Sequence, residues 1–340
     1  MDSLNKNLLL SMNKHYIYKF NQINYKKKFY KYLLKFLIIL IFLFYCFYTK
    51  LKHLFKNIFI KNKDIKVCLC IMGKEENIYA KEYIAHYKKL GYNHIFLYDN
   101  NDINGEKFEK ILIDEINDDF VTILNFRGKK GKKGKRGGIQ LEIYYHCYEK
   151  NNKEYDWLSF FDFDEFLEIR PKGESIQNFL SNKRYKTCET IKINFLHYSD
   201  NEYLFYFNNS VQERFTTPLY NNINNKVVKS IIKGSLKENY WKRSNCAHTS
   251  LMKYITCNSL GQKIKYNSFI IPFNYTYAYL KHYMTKSVEE YCNKVRRGEA
   301  FFNYLQFNEK RKQFKINKYF KFNKKTNNKI ILFKLLFSIK

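Results

Sequence analysis

The residues of this chain best suited to chemistry stand together in Trp157-Leu-Ser-Phe-Phe-Asp162-Phe-Asp164-Glu165-Phe-Leu-Glu168. An apolar run with the character of a buried strand stops at three carboxylates, Asp162, Asp164 and Glu165. Burying unpaired carboxylates is expensive, so a core strand that ends this way needs compensation. The carboxyl end of a central strand in an α/β sheet is also where ligands bind. A divalent cation shared with a phosphorylated substrate supplies what is needed. Asp-x-Asp suits Mg²⁺ or Mn²⁺, which take one or two carboxylates and complete their shell with water and diphosphate oxygens. The plainer reading is a strand followed by an acidic, solvated turn. The apolar residues ahead of Asp162 favour the metal.

Positioning such a turn takes a sheet, and the preceding chain alternates strand and helix patterns. Val67–Met72 reads as a short apolar strand. Ile78–Leu90 has helical spacing, with Ile78, Ile84, Ala85 and Tyr87 facing inward and Gly91 as its stop. His94–Tyr98 is a second strand, ending at Asp99-Asn-Asn-Asp, and Phe120–Asn125 a third. Ile139–Lys150 is helical and Trp157–Phe161 is the fourth strand. Strands separated by helices imply right-handed crossovers and parallel pairing. The expected class is therefore α/β, a Rossmann-like mixed but mostly parallel sheet flanked by helices. The basic glycine loop from Arg127 to Gly138 lacks the spacing and the Ser or Thr of a P-loop. It reads as a solvated loop, or as a mobile cationic flap over a nucleotide diphosphate.

The 340 residues suffice for one large domain, and 19% aromatic content excludes low-hydrophobicity disorder for most of the chain. A net charge of +30 would ordinarily point to nucleic acid. Abundant Lys, Asn, Ile, Phe and Tyr beside only 3 Pro and 12 Gly instead suggest AT-rich codon usage, so the charge carries little functional weight. No Cys-x-x-Cys pair exists, which argues against a zinc ribbon or thioredoxin-type centre. Cys68 and Cys70 alternate within a strand, and Cys246 and Cys257 are candidates for pairing in an oxidising lumen. Tyr32 to Thr49 is nearly continuous apolar sequence broken by Lys35, which can snorkel from the short end of a membrane span. The reading is a signal anchor at 32–49, with a polar tail at 1–31, a stem at 50–65 and the working domain at 66–302. The Lys- and Phe-rich stretch at 303–340 is too short in apolar sequence to span, and is expected to dock on the domain or lie on a membrane surface.

Further blocks accompany the acidic turn in order. Cys70-Ile-Met-Gly-Lys74-Glu75-Glu76-Asn77 through His86 and Gly91 is followed by Ile95-Phe-Leu-Tyr98-Asp99-Asn100-Asn101. Gly138-Ile-Gln140 to Cys147 precedes the acidic block itself. Gln212-Glu213-Arg214-Phe215, Val228-Lys229-Ser230-Ile231 and Ala247-His248 come next, and His282-Tyr-Met-Thr-Lys286-Ser287 to Arg296-Arg297-Gly298 closes the series. Together, over roughly residues 66–300, these resemble glycosyltransferase family 92 and its bacterial family 2 relatives.

The resemblance implies a GT-A fold and a metal-dependent transferase, with Mn²⁺ or Mg²⁺ as cofactor. Its donor would be a nucleotide sugar, such as the UDP-hexose UDP-galactose, and its acceptor a glycan hydroxyl attacked with inversion. Asp162 and Asp164 would hold metal and diphosphate, and His282 would complete the metal site. Glu75 and Asp99 would lie on the nucleotide. It also implies a single-pass type II protein of a secretory-pathway membrane, with no nucleic-acid partner. Departure of the diphosphate needs charge stabilisation, and the acceptor needs a carboxylate base on the opposite face. Glu213 and Asp200 are the candidates for that base, ahead of Glu202. The rival readings are a catalytically inactive glycan- or nucleotide-binding homologue and a membrane-tethered basic protein that binds nucleic acid.

Overall fold

The computed structural model describes residues 33, 36–45, 47–48, 65–130, 138–236, 247–248, 254–265, 268–298 and 309–338. The chain divides into two compact units, Met1–Lys63 and Asp64–Lys340. In the first, residues 36–45 and 47–48 are helical, and apolar side chains such as Ile41, Phe42 and Phe44 stand exposed. Among the described residues, no helix is long and apolar enough to cross a membrane. The remainder of the expected anchor, the polar tail and most of the stem lie outside the described residues.

The second unit is built on nine strands. Strand β1 (Val67–Gly73) leads into helix α1 (Asn77–Lys89), then β2 (His94–Asp99), the short α2 (Ile113–Asn117) and β3 (Val121–Asn125). Helix α3 (Gly138–Asn151) and β4 (Trp157–Phe160) follow, so the first half matches the alternation read from the sequence. The second half comprises β5 (Glu165–Ile169), α4 (Ile176–Ser181), β6 (Thr190–His197), α5 (Val211–Arg214), β7 (Val228–Lys233), β8 (Thr256–Asn258) and β9 (Ala278–His282). Helices α6 (Val288–Arg297), α7 (Glu309–Tyr319) and α8 (Asn327–Ser338) close the chain.

The strand order is β3-β2-β1-β4-β7-β6-β9-β5, with β8 paired to β6. β3, β2, β1 and β4 run parallel, as crossover helices require. β7 then joins antiparallel to both β4 and β6, and β9 pairs parallel with β6 and antiparallel with β5. This reversal beside β4 sets strands from the second half against the acidic turn.

Helix α1 packs through Tyr79, Ala80, Tyr83, Ile84 and Tyr87. Ile78 and Ala85, expected inside, are exposed. The helix is rotated because its tyrosines can bury their rings while their hydroxyls find partners, as Tyr87 does at the Glu165 carbonyl (2.8 Å) and Tyr79 at Glu290 (2.8 Å). One core lies between α1, α4 and the sheet, and a second forms around α3. A third joins Val288, Tyr291, Cys292 and Val295 of α6 to Tyr319, Phe333 and Phe337 of the C-terminal helices, which are thus docked on the domain. Cys257 is bonded to Cys188 rather than to Cys246, which lies outside the described residues. The register of β6 beside β8 sets Ile191 opposite Cys257 and brings Cys188 within reach.

Candidate active site

The acidic turn is closed by its own backbone. Glu165 N–H donates to the Asp162 carbonyl (2.9 Å), and Asp162 N–H donates back to Glu165 Oε2 (3.0 Å). Phe163 is thereby turned into the core, where it stacks on Phe108, and Asp162 and Asp164 face a cavity of about 400 Å³. Met72, Asn100, Gln140, His248, His282 and Tyr291 contribute to its walls. Four cationic side chains line it as well: Lys74, Lys294, Arg297 and Lys318.

Each aspartate already has an ammonium partner. Asp162 Oδ1 accepts from Gln140 Nε2 (2.8 Å) and Tyr144 OH (2.9 Å), both on α3, and its Oδ2 accepts from Lys229 Nζ (2.9 Å) on β7. Lys229 also lies 3.5 Å from Glu165 Oε2 and is 1% exposed. Asp164 Oδ2 accepts from Lys294 Nζ on α6, and His282 Nε2 stands 3.7 Å from the same oxygen. Burial pushes the Asp162 carboxyl upward, but Lys229 outweighs it and holds the group below its ordinary value. Asp164 is buried, and Lys294 and His282 hold it well below the usual range. Glu165 goes the other way: burial outweighs the pull of Lys229 and raises its carboxyl well above the ordinary range.

Among the described residues, Asp164, Glu165 and His282 offer ligand atoms within 4.8 Å of one another. Glu165 and His282 meet because they are register partners across β5 and β9. Two carboxylates and an imidazole are donors that suit Mn²⁺ or Mg²⁺. His282 Nδ1 is buried with no hydrogen-bond partner, an open valence in keeping with a ligand rather than a plain core residue. Its ring packs against Phe195 and His197. Asp162 falls outside this trio and is held by Lys229, Gln140 and Tyr144.

Other residues singled out in the sequence fall in different places. Asp99 is fully buried, and Arg127 Nη1 binds its Oδ2 at 2.6 Å while Asn101 donates twice to its Oδ1. Its carboxylate is spent on shaping the loop, and the neighbouring Asn100 reaches the cavity instead. Glu75 is exposed at a backbone φ of 51°, on the rim of a second cavity of about 450 Å³. Glu76 turns inward, pairs with Arg297 and lines both cavities. Asp200 is 1% exposed and held by Tyr319 OH and by Lys329 Nζ (2.6 Å). It anchors the C-terminal helices and is not free to act as a base. Glu213 is exposed and outside the cavity, because it is the adjacent Arg214 that turns inward, to Glu290 (2.8 Å). Glu202 shares Lys329 with Asp200 at 3.1 Å and is mostly exposed. His248 lines the cavity and donates its Nδ1–H to the Val228 carbonyl (2.8 Å), and burial pushes its pKa down to about 3. The centre of the glycine loop, residues 131–137, lies outside the described residues.

The sequence reading did not assign Lys229, Lys294, Gln140 or Tyr144 to the site. A signal for Lys229 was present: a lysine inside Val227-Val-Lys-Ser-Ile-Ile232 is an unexplained charge in a buried strand.

The model of glycosyltransferase family 92 matches residues 63–331. A glycosyltransferase family 92 protein of Oryza sativa subsp. japonica is 25% identical over 126 residues, 37% of this chain. The chain spans 20% of that protein's length. Among solved structures, Staphylococcus aureus TarS in complex with UDP-GlcNAc is 13% identical, covering 80% of this chain and 72% of its own, at a TM-score of 0.38. A mannosyltransferase from Pyrobaculum calidifontis in complex with GDP-Man and Mn²⁺ is 12% identical, over 41% of this chain and 40% of its own, at 0.27. The family match covers most of the sequence and contains every block around the acidic turn, and the chain belongs to glycosyltransferase family 92.

Proposed function

We propose that this chain transfers a hexose from a nucleoside diphosphate sugar, a UDP-hexose such as UDP-galactose, to the hydroxyl of a glycan, with inversion and with Mn²⁺ or Mg²⁺ as cofactor. What supports the reading is one arrangement: Asp162 and Asp164, at the carboxyl end of β4, face a cavity lined by Lys74, Lys294, Arg297 and Lys318. Carboxylates and ammonium groups around one cavity suit a dianionic diphosphate with its counter-cation. Asp164 and His282 would hold the cation, with Glu165 beside them. When bound, the cation supplies Lewis-acid stabilisation to the departing diphosphate. The chain's own cations share that charge: Lys294 and Arg297 line the wall, and Lys74 stands just beyond β1. The apolar helical segment before residue 49 serves, in this reading, as a type II anchor in a secretory-pathway membrane.

The test uses the full chain in detergent with a panel of UDP- and GDP-sugars, with and without Mn²⁺. A ligand bound by the folded state raises the melting temperature according to its affinity. The expected result is Mn²⁺-dependent stabilisation and hydrolysis by one nucleotide class, both lost in Asp164→Asn. Stabilisation without hydrolysis or transfer would identify an inactive binding homologue. A salt-sensitive shift by nucleic acid alone would replace the transferase reading.

A further inference from the structure

The two lysines at the acidic turn are not equivalent. Lys229 is 1% exposed, lies between Asp162 and Glu165, and belongs to a strand paired on both edges. It has nowhere to go. Lys294 is 28% exposed, lines both cavities, and binds through the end of a flexible side chain to Asp164 Oδ2 and the Met284 carbonyl (3.2 Å). Its backbone is fixed. Helix α6 begins with a capping box between Ser287 and Glu290, Glu290 is clamped by Arg214, and Val288, Tyr291, Cys292 and Val295 are packed. Any movement of Lys294 is therefore of the side chain alone.

The oxygen that Lys294 holds is the one His282 Nε2 approaches at 3.7 Å. A divalent cation held by Asp164 would compete with the ammonium for that oxygen, because two cations on one carboxylate oxygen repel strongly. We infer that Lys294 is an exchangeable counter-ion at Asp164, which a divalent cation displaces and which then turns into the cavity to bind the diphosphate. Lys229 is the permanent counterpart at Asp162. The exchange keeps Asp164 compensated when no donor is present and couples cation binding to diphosphate binding in both directions. Arg297, on the next turn of α6, marks where the displaced ammonium goes, beside a second cation already facing the cavity. This inference rests on the proposed donor site for its second half only.

Mn²⁺ binding to the full chain, followed by the loss of the free Mn²⁺ electron paramagnetic resonance signal with and without UDP or GDP, separates the halves. Wild type should bind Mn²⁺ weakly without nucleotide. Lys294→Met should tighten that binding tenfold or more, and Lys294→Gln, which keeps a donor without the charge, should do so too. Adding Asp164→Asn to either variant should abolish the gain. The enhancement of Mn²⁺ affinity by the nucleoside diphosphate should be at least threefold smaller in Lys294→Met than in wild type. Mn²⁺ affinity unchanged or weaker in both folded variants, or a gain that survives Asp164→Asn, overturns the exchange. If the variants gain Mn²⁺ affinity while no nucleotide binds any form, the counter-ion role stands and the donor site fails.

Discussion

Lys229 and Asp162 are 67 residues apart in the chain and 2.9 Å apart in space, and the ammonium that joins them is 1% exposed. The same lysine is 3.5 Å from Glu165, so one side chain of β7 offsets the charge at the end of β4 and the start of β5. Removing it strands two carboxylates at once. Lys229→Met is expected to cost about 3–5 kcal/mol, the usual loss when one partner of a buried pair is deleted. Asp162→Asn should cost far less, because that carboxylate is 37% open to solvent. Urea unfolding of the two variants checks the order, and a smaller loss for Lys229→Met than for Asp162→Asn reverses the assignment.

Two glycines should fail in different ways. A Cβ at Gly73 would overlap the rings of Phe108 and Phe163, and Phe163 is the residue between the two aspartates. Side chains can shift, so Gly73→Ala should fold with a loss of about 1–3 kcal/mol. It should nonetheless lose at least tenfold in transfer, because the aspartates shift with Phe163. A Cβ at Gly234 would instead overlap the backbone oxygens of Tyr155 and Asn152, which cannot give way. That variant should be defective in folding. Melting temperatures and donor turnover measured side by side distinguish them, and equal effects on both measures would refute the contrast.

Acid should loosen the domain partly through His86. Its Nε2–H donates to the Leu167 carbonyl (2.9 Å), and burial pushes its pKa down to about 4. An imidazole in the unfolded chain titrates near ~6.5. Between those values the unfolded state holds the proton and the folded state does not. The contribution is therefore complete above pH ~6.5 and declines as the pH falls towards 4, by up to about 1.4 kcal/mol per pH unit. His86→Gln keeps a donor and does not titrate. Its stability should fall less steeply across that window, and parallel curves would sink the explanation.

The Cys188–Cys257 bond closes a loop of 69 residues. Chain entropy assigns such a closure about 4 kcal/mol. Reduction, or Cys188→Ser, should lower the unfolding midpoint accordingly. Peptide mapping without reduction should recover residues 188 and 257 in one linked species. A linkage through Cys246 would contradict the structure.

Local periodicity made the first half of the sheet legible. Each of β1 to β4 is a short apolar run bounded by a helix or turn signal, and the acidic turn follows directly. The second half resisted because the placing of its strands rests on non-local pairing: β7 takes its position only once β4 and β6 flank it. The same cause hid Lys229 and Lys294, whose roles exist only after β7 and α6 reach the turn. Asp200 and Asp99 were attractive for their position after strands, yet position does not reveal a buried partner such as Lys329 or Arg127. In α1, apolar spacing alone overvalued Ile78 and Ala85, because tyrosines with satisfied hydroxyls compete successfully for the core.

The clamp on Asp200 also sets a timetable for the chain's birth. Its partners, Tyr319 and Lys329, are more than a hundred residues downstream. At a synthesis rate of about 5–20 residues per second, the gap lasts on the order of ten seconds. Until Lys329 leaves the ribosome, the Asp200 carboxylate lacks the ammonium that it meets in the folded domain. This corner of the domain can therefore close only after most of the chain has been made.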